Sequence, residues 1–178
     1  LLLRDEAAGA GAERALGVLW RQLGTEFGVE VVVPLEPGFE PAPDVSGATL
    51  LQDEYDAYLL FNTSARRSGA DGVAVIRLRA CISTKFGLPN DEALDGHPLY
   101  GRGLEAYRCG EVLNSSWLAE EQRRNAVRFP AFKLTARHFV FTFHDSMLEV
   151  LAHDIEARVH VPGDHAALAR ECLARMYG

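Results

Sequence analysis

The stretch RHFVFTFHDSMLEV, residues 137–150, constrains this chain more tightly than any other. Phe139, Phe141 and Phe143 alternate with Val140 and Thr142, and a period of two is the signature of a strand with one buried face. A two-residue turn at Asp145–Ser146 pairs Phe143 with Leu148, Phe141 with Val150 and Phe139 with Ala152. One face is then wholly apolar. A three-residue turn would mix the faces, and a one-residue slip moves every side chain to the other side of the sheet, so the two-residue turn is the expected one.

In that register the opposite face reads His144/Met147, Thr142/Glu149, Val140/Leu151 and His138/His153. It is expected to face solvent. His138 and His144 share it but are six residues apart, roughly 20 Å along a strand, too far to ligate one ion. His138 and His153, directly opposed at roughly 4.5–5.5 Å, are the one pair able to hold a metal, given a third ligand. The competing reading is a half-exposed polar pair on a sheet. A break in alternation at His153–Asp154 points to a bulge there.

Two further strand patterns precede this hairpin. In 50–62 the odd positions Leu51, Tyr55, Ala57, Leu59 and Phe61 are apolar. In 72–84 the even positions Ala74, Ile76, Leu78, Ala80 and Ile82 are apolar. Pairing Asn62 with Val73 across the polar connection 63–72 makes the apolar faces coincide and sets Asp56 opposite Arg79. Residues 5–27 read as a helix with Leu16, Leu19, Trp20, Leu23 and Phe27 on one stripe, stopped by Gly28. Residues 29–33 read as a strand, 34–47 as a proline-rich loop, and 105–113 as a strand. Residues 91–95 form a short helix; 115–125 form another, capped by Ser115 or Ser116. Residues 163–178 form a last helix capped by Asp164. Helices and strands are segregated rather than alternating. The expected fold is therefore α+β: a single globular domain over 1–178, its antiparallel sheet built largely from two long hairpins, 50–84 and 137–160. An N-terminal helix, a short helix near 115–125 and a C-terminal helix complete it.

Composition removes several function classes. Hydrophobic residues are 48% and charged residues 24% of the 178, which is globular rather than disordered usage. The formal charge of −7 opposes attraction to nucleic acid or anionic lipid. No apolar run reaches the roughly 18 residues of a membrane span, and the opening LLL runs straight into RDE, which is no signal-peptide core. Cys81, Cys109 and Cys172 are odd in number and widely spaced, as in a reducing, cytoplasmic setting.

The glycine-rich excursion 85–107 concentrates the residue types of a binding loop. Arg79, Lys85, His97, Tyr100 and Arg102 are the candidate ligand-binding residues, with Arg79, Lys85, His97 and Arg102 converging on one cationic mouth. Tyr107 and Trp117 add aromatic faces able to stack on a planar ligand, although such aromatics also seal cores. The expected function is binding of a small polar or anionic ligand, or of a protein partner, without catalysis and without a cofactor. The alternative is a small metal-independent hydrolase or acid–base enzyme using His97 with Glu92. A purely structural interaction domain, self-associating through a covered hairpin face, is the third reading. A concave polar pocket beside 85–107 separates the first two from the third. A His–carboxylate pair within hydrogen-bond reach favours the enzyme.

With no Cys/His cluster at ligand spacing, folding should need no metal. The melting temperature should not change in the presence of a strong chelator. A large drop, restored by one divalent ion, would promote the His138/His153 pair.

Overall fold

A computed structural model describes residues 2–43, 45–64 and 71–178, with side chains from residue 11 onward. Most of the 63–72 connection lies outside the described residues. Among them are three α-helices, α1 (Leu2–Phe27), α2 (Ser116–Ala126) and α3 (His165–Tyr177), and a 3-10 helix at Asp91–Gly96. The strands are β1 (Val31–Pro34), β2 (Thr49–Gln52), β3 (Ala57–Thr63), β4 (Gly72–Arg79), β5 (Ser83–Gly87), β6 (Cys109–Leu113), β7 (Arg137–Thr142), β8 (Met147–Ala152) and β9 (Asp154–His160). They form two antiparallel sheets, ordered β1-β6-β7-β8-β5 and β2-β3-β4-β9. The α+β class and the terminal helices follow the sequence pattern.

The two sheets face each other across the main core. Ala57, Leu59, Phe61, Ala74, Ile76 and Leu78 come from one side, and Phe139, Phe141, Leu148, Val150 and Ala152 from the other. Phe143 at the hairpin turn stacks on Phe61 with ring centroids 5.1 Å apart. The expected pairing of Asn62 with Val73 is present.

Both long strand patterns bend where one straight strand was expected. Residues 50–62 split into β2 and β3 because Asp53 Oδ1 accepts from the amides of Tyr55 and Asp56 at 2.7 and 2.8 Å, folding a turn. The turn reverses parity, so Leu50 rather than Leu51 packs against the main core. The 72–84 segment leaves one sheet at Arg79, turns through Ala80 at φ +46°, and enters the other as β5. The partner segment bends in parallel at His153, between β8 and β9. Arg79 pairs with Asp154 and Ser83 with Leu151, so a single ladder runs through both sheets with one residue of slip. His153 N donates to Arg79 O and Ile82 N to Leu151 O at the corner. The bulge expected at His153–Asp154 is this corner.

The β7–β8 hairpin departs from the two-residue turn. Phe141 pairs with Leu148, Phe139 with Val150 and His138 with Leu151, a shift of two residues. Phe143 N donates to Ser146 O, closing a longer loop. A shift of two preserves the faces, so all three phenylalanines still point inward. It does separate His138 from His153: the opposed pair considered for a metal does not form, and His153 is exposed at the corner.

The outer face of the five-stranded sheet is covered rather than solvated. Leu94, Leu99 and Leu104 from the 85–107 excursion pack on Val32, Val112, Val140 and Met147. Thr142 Oγ1 donates to Glu105 O at 2.8 Å, and accepts from Arg108 N at 2.9 Å, tying the excursion down. Helix α3 covers the outer face of the other sheet through Leu168 and Cys172. Helix α1 sits against the β1 edge by its small face: a Cβ on Gly24 would meet Leu113 at 2.9 Å, and one on Gly17 would meet Pro34 at 3.3 Å. The expected apolar stripe is packed only in part: Trp20 and Leu23 are half-buried, with Trp20 against Gly103, whereas Leu16, Leu19 and Phe27 are exposed.

Phe141 is fully buried between the sheets. Phe141→Ala should cost about 3–5 kcal/mol. Thr142→Val should cost about 1–3 kcal/mol by leaving buried backbone groups unpaired, and should loosen the excursion. Urea denaturation checks both; equal midpoints for wild type and Phe141→Ala would contradict the packing.

Candidate functional site

Two histidine–carboxylate pairs lie on the covered face of the five-stranded sheet, one buried and one open. The buried pair centres on Glu149, whose side chain is 11% exposed. Strand alternation points it outward from β8, away from the apolar core. His138 on β7 brings Nε2 to 3.1 Å from Oε2, although the approach is too oblique for a well-aligned hydrogen bond. His97 Nε2 stands 3.8 Å from Oε1 and Lys85 Nζ 3.3 Å from the same atom. Burial acts to raise the Glu149 carboxyl. The His138 and His97 ring nitrogens turned toward it, with the Lys85 ammonium, outweigh burial and hold the carboxyl well below the usual range.

A second ring of contacts fixes these groups. Lys85 Nζ lies 3.8 Å over the Trp117 ring, and the indole meets His138 edge-on at 5.2 Å. His138 Nδ1 is 2.8 Å from Ser115 Oγ. Ser115 caps α2 by accepting from Leu118 N at 3.0 Å, which leaves its one proton free to be donated to His138 Nδ1 in the tautomer that accepts there. His138 then carries its own proton on Nε2, toward Glu149. His97 Nδ1 accepts from Leu99 N at 3.2 Å, which likewise places its proton on Nε2. Both imidazoles thus present N–H donors to the acid. A metal ligand needs a lone pair there, so this donor set does not suit a metal. Among the described residues no three His, Cys, Asp or Glu side chains are arranged to hold an ion.

The open pair joins the start of the 3-10 helix to the β7–β8 turn. Asp91 N donates to His144 O at 3.1 Å, and Asp91 Oδ2 is 3.0 Å from His144 Nδ1. The same oxygen accepts a short hydrogen bond from Tyr107 Oη. Tyr107 holds φ +57°, a left-handed conformation costing on the order of 1–3 kcal/mol in a non-glycine residue. The Tyr107 hydrogen bond is the main influence lowering the Asp91 carboxyl; burial opposes it and His144 adds to it. His144 is 41% exposed and Asp91 15%.

Of the residues singled out from sequence, Lys85 and His97 do meet, but at Glu149 rather than in a mouth with Arg79 and Arg102. Arg79 pairs with Glu156 at 3.1 Å on the other sheet, and Asp56, expected opposite it, binds Arg77 at 2.6 Å. Arg102 sits in an exposed turn whose carbonyl accepts from Val32 N. Gly103 follows at φ +94°, where a Cβ would strike Val32 O at 2.2 Å. Tyr100 is exposed. Glu92 is exposed on the 3-10 helix, and the carboxylate near His97 is Glu149. Glu149, Asp91 and His144 were passed over because their partners lie up to 64 residues away. The one sequence signal for Glu149 was a polar residue at a strand position whose face is covered. A groove of about 680 Å³ lies between α1 and the 103–108 end of the excursion, lined by Trp20, Pro34, Glu105 and Arg108 among others.

Ionised Glu149 stabilises the fold because its folded-state pKa is below its unfolded one. That stability is fully present above the ordinary carboxylate range and is lost as pH falls through and below it. Glu149→Gln should therefore flatten the fall in melting temperature between about pH 5 and pH 3. Parallel acid limbs for the two proteins would show that Glu149 carries no such coupling.

No protein-family model matches the chain, and no significant match to it was found among curated proteins or solved structures, so the functional reading rests on the geometry.

Proposed function

We propose that this chain is a small acid–base enzyme working without a metal on a polar substrate, with His144 as its proton-transferring group. The observation that supports this reading is the bridging position of Asp91 Oδ2 between Tyr107 Oη and His144 Nδ1. An ionised carboxylate at Nδ1 fixes the ring orientation, keeps the proton on that nitrogen and leaves the basic lone pair on Nε2. It also stabilises the positive ring formed when Nε2 takes a proton. Asp91 and Tyr107 are positioning residues in this scheme, and the half-exposed ring gives substrate access. Three buried free thiols support residence in the reducing cytoplasm.

Non-catalytic binding of a small anion is the second reading. It is favoured by the Lys85 ammonium, which is 53% exposed and laid on the Trp117 ring.

The ring-opening of 5-nitrobenzisoxazole reports any positioned base. Wild type should accelerate it, and His144→Gln and Asp91→Asn should each lower the rate about 10²-fold or more. Tyr107→Phe should lower it less. An unchanged rate in His144→Gln sinks the acid–base reading. If the probe is untouched while inorganic phosphate shifts the Trp117 indole resonance, the binding reading replaces it.

A further inference from the structure

We infer that Ser115 is a second reactive centre, independent of His144: a nucleophile for a small carboxylic ester, activated by His138 and Glu149. The chain reaches it by strand, sharp turn and helix. Strand β6 ends at Leu113, Asn114 turns the chain at φ +54°, and Ser115 opens α2. Asn114 is held in that conformation by bonds from Nδ2 to Gly24 O and Val29 O, at 2.8 and 2.9 Å.

The three groups stand in series. Ser115 Oγ is 2.8 Å from His138 Nδ1, and His138 Nε2 is 3.1 Å from Glu149 Oε2. All three residues are buried, where electrostatic effects on proton transfer are larger than in water. A capping serine needs none of this. The cap is complete with Leu118 N on Ser115 Oγ, and neither a buried imidazole nor a carboxylate behind it improves the cap. The order of the ring nitrogens is immaterial to the relay, provided that one accepts from the hydroxyl while the other faces the acid.

The reaction balances without a cofactor. Ser115 Oγ bonds to the ester carbonyl carbon and its proton passes to His138 Nδ1. The carbon–alkoxide bond breaks, and the departing alcohol takes that proton. Water then adds to the acyl-serine and gives its proton to His138. The acid leaves as the proton returns to Ser115. Of the first-turn amides, Ser116 N donates to Glu30 and Leu118 N to Ser115. The Trp117 amide is the first-turn donor that remains, and in this scheme it would stabilise the carbonyl oxygen as it becomes negative. Lys85, lying on the Trp117 ring, favours a substrate with an anionic acyl part.

The test is an alkyl fluorophosphonate followed by intact-mass and peptide mapping. Wild type should take one phosphonyl group on Ser115. Ser115→Asp keeps the cap and should take none. Glu149→Gln should label at least tenfold more slowly. Ser115→Cys supplies an independent measurement: its alkylation by iodoacetamide should persist at pH 6, as for a thiolate paired with an imidazolium. The inference fails if Ser115 stays unmodified under conditions that fully label a reference serine hydrolase. It fails equally if Glu149→Gln labels at the wild-type rate, or if the Cys variant reacts only as an ordinary thiol.

Discussion

One continuous hydrogen-bonded ladder holds the two sheets in register. The chain from Gly72 to Gly87 runs antiparallel to the chain from Met147 to His160, and both bend at the same level, at Ala80–Ile82 and at His153. Because the bend is shared, neither sheet can slide relative to the other without breaking backbone pairing. The facing phenylalanines and leucines of the main core depend on that alignment. So does the outer face of the five-stranded sheet, whose central strands β7 and β8 carry His138 and Glu149.

On that outer face a second constraint operates. Glu149 lies on the polar side of β8, yet the side is covered, and a buried carboxylate is tolerated only with charged or hydrogen-bonding partners. Those partners come from β5, β7 and the 85–107 excursion, and His138 is in turn braced by α2. The excursion contributes His97 at one end of its 3-10 helix and Asp91 at the other. Placing His97 against Glu149 therefore also bears on where Asp91 meets His144. The buried cluster and the open one are mechanically joined by six residues of 3-10 helix.

The fold was legible where side-chain parity decides it. The inward phenylalanines, the Asn62–Val73 register, the Asp164 cap and the bulge at His153–Asp154 all follow from alternation or capping chemistry. The β7–β8 pairing was misplaced by two residues because parity cannot distinguish registers that differ by two. The turn at Asp53 and the corner at Ala80 were missed for a related reason. Each interrupts a pattern that continues to look apolar on both sides. The packed face of α1 was read in part: Trp20 and Leu23 are half-buried, but Gly17 and Gly24 make the close approach to the sheet and leave Leu16, Leu19 and Phe27 exposed. The candidate site was half legible: Lys85 and His97 were visible as loop chemistry, whereas Glu149, Asp91 and His144 acquire meaning only from distant segments. A polar strand face reads as solvent-facing unless something is known to cover it.

The manner in which the excursion is fastened also orders the events of folding. It leaves β5 and returns as β6, strands at opposite ends of the β6-β7-β8-β5 row. Its landing surface, Val112, Val140 and Met147, exists only once β6, β7 and β8 have paired. Closure of this loop on its landing surface therefore requires that the ribbon be assembled first. Amide hydrogens of the 3-10 helix should exchange through local release, while those of the central strands β3, β4, β7 and β8 await global unfolding. Asp91 is accordingly carried by a layer laid over the five-stranded sheet rather than by the sheet itself.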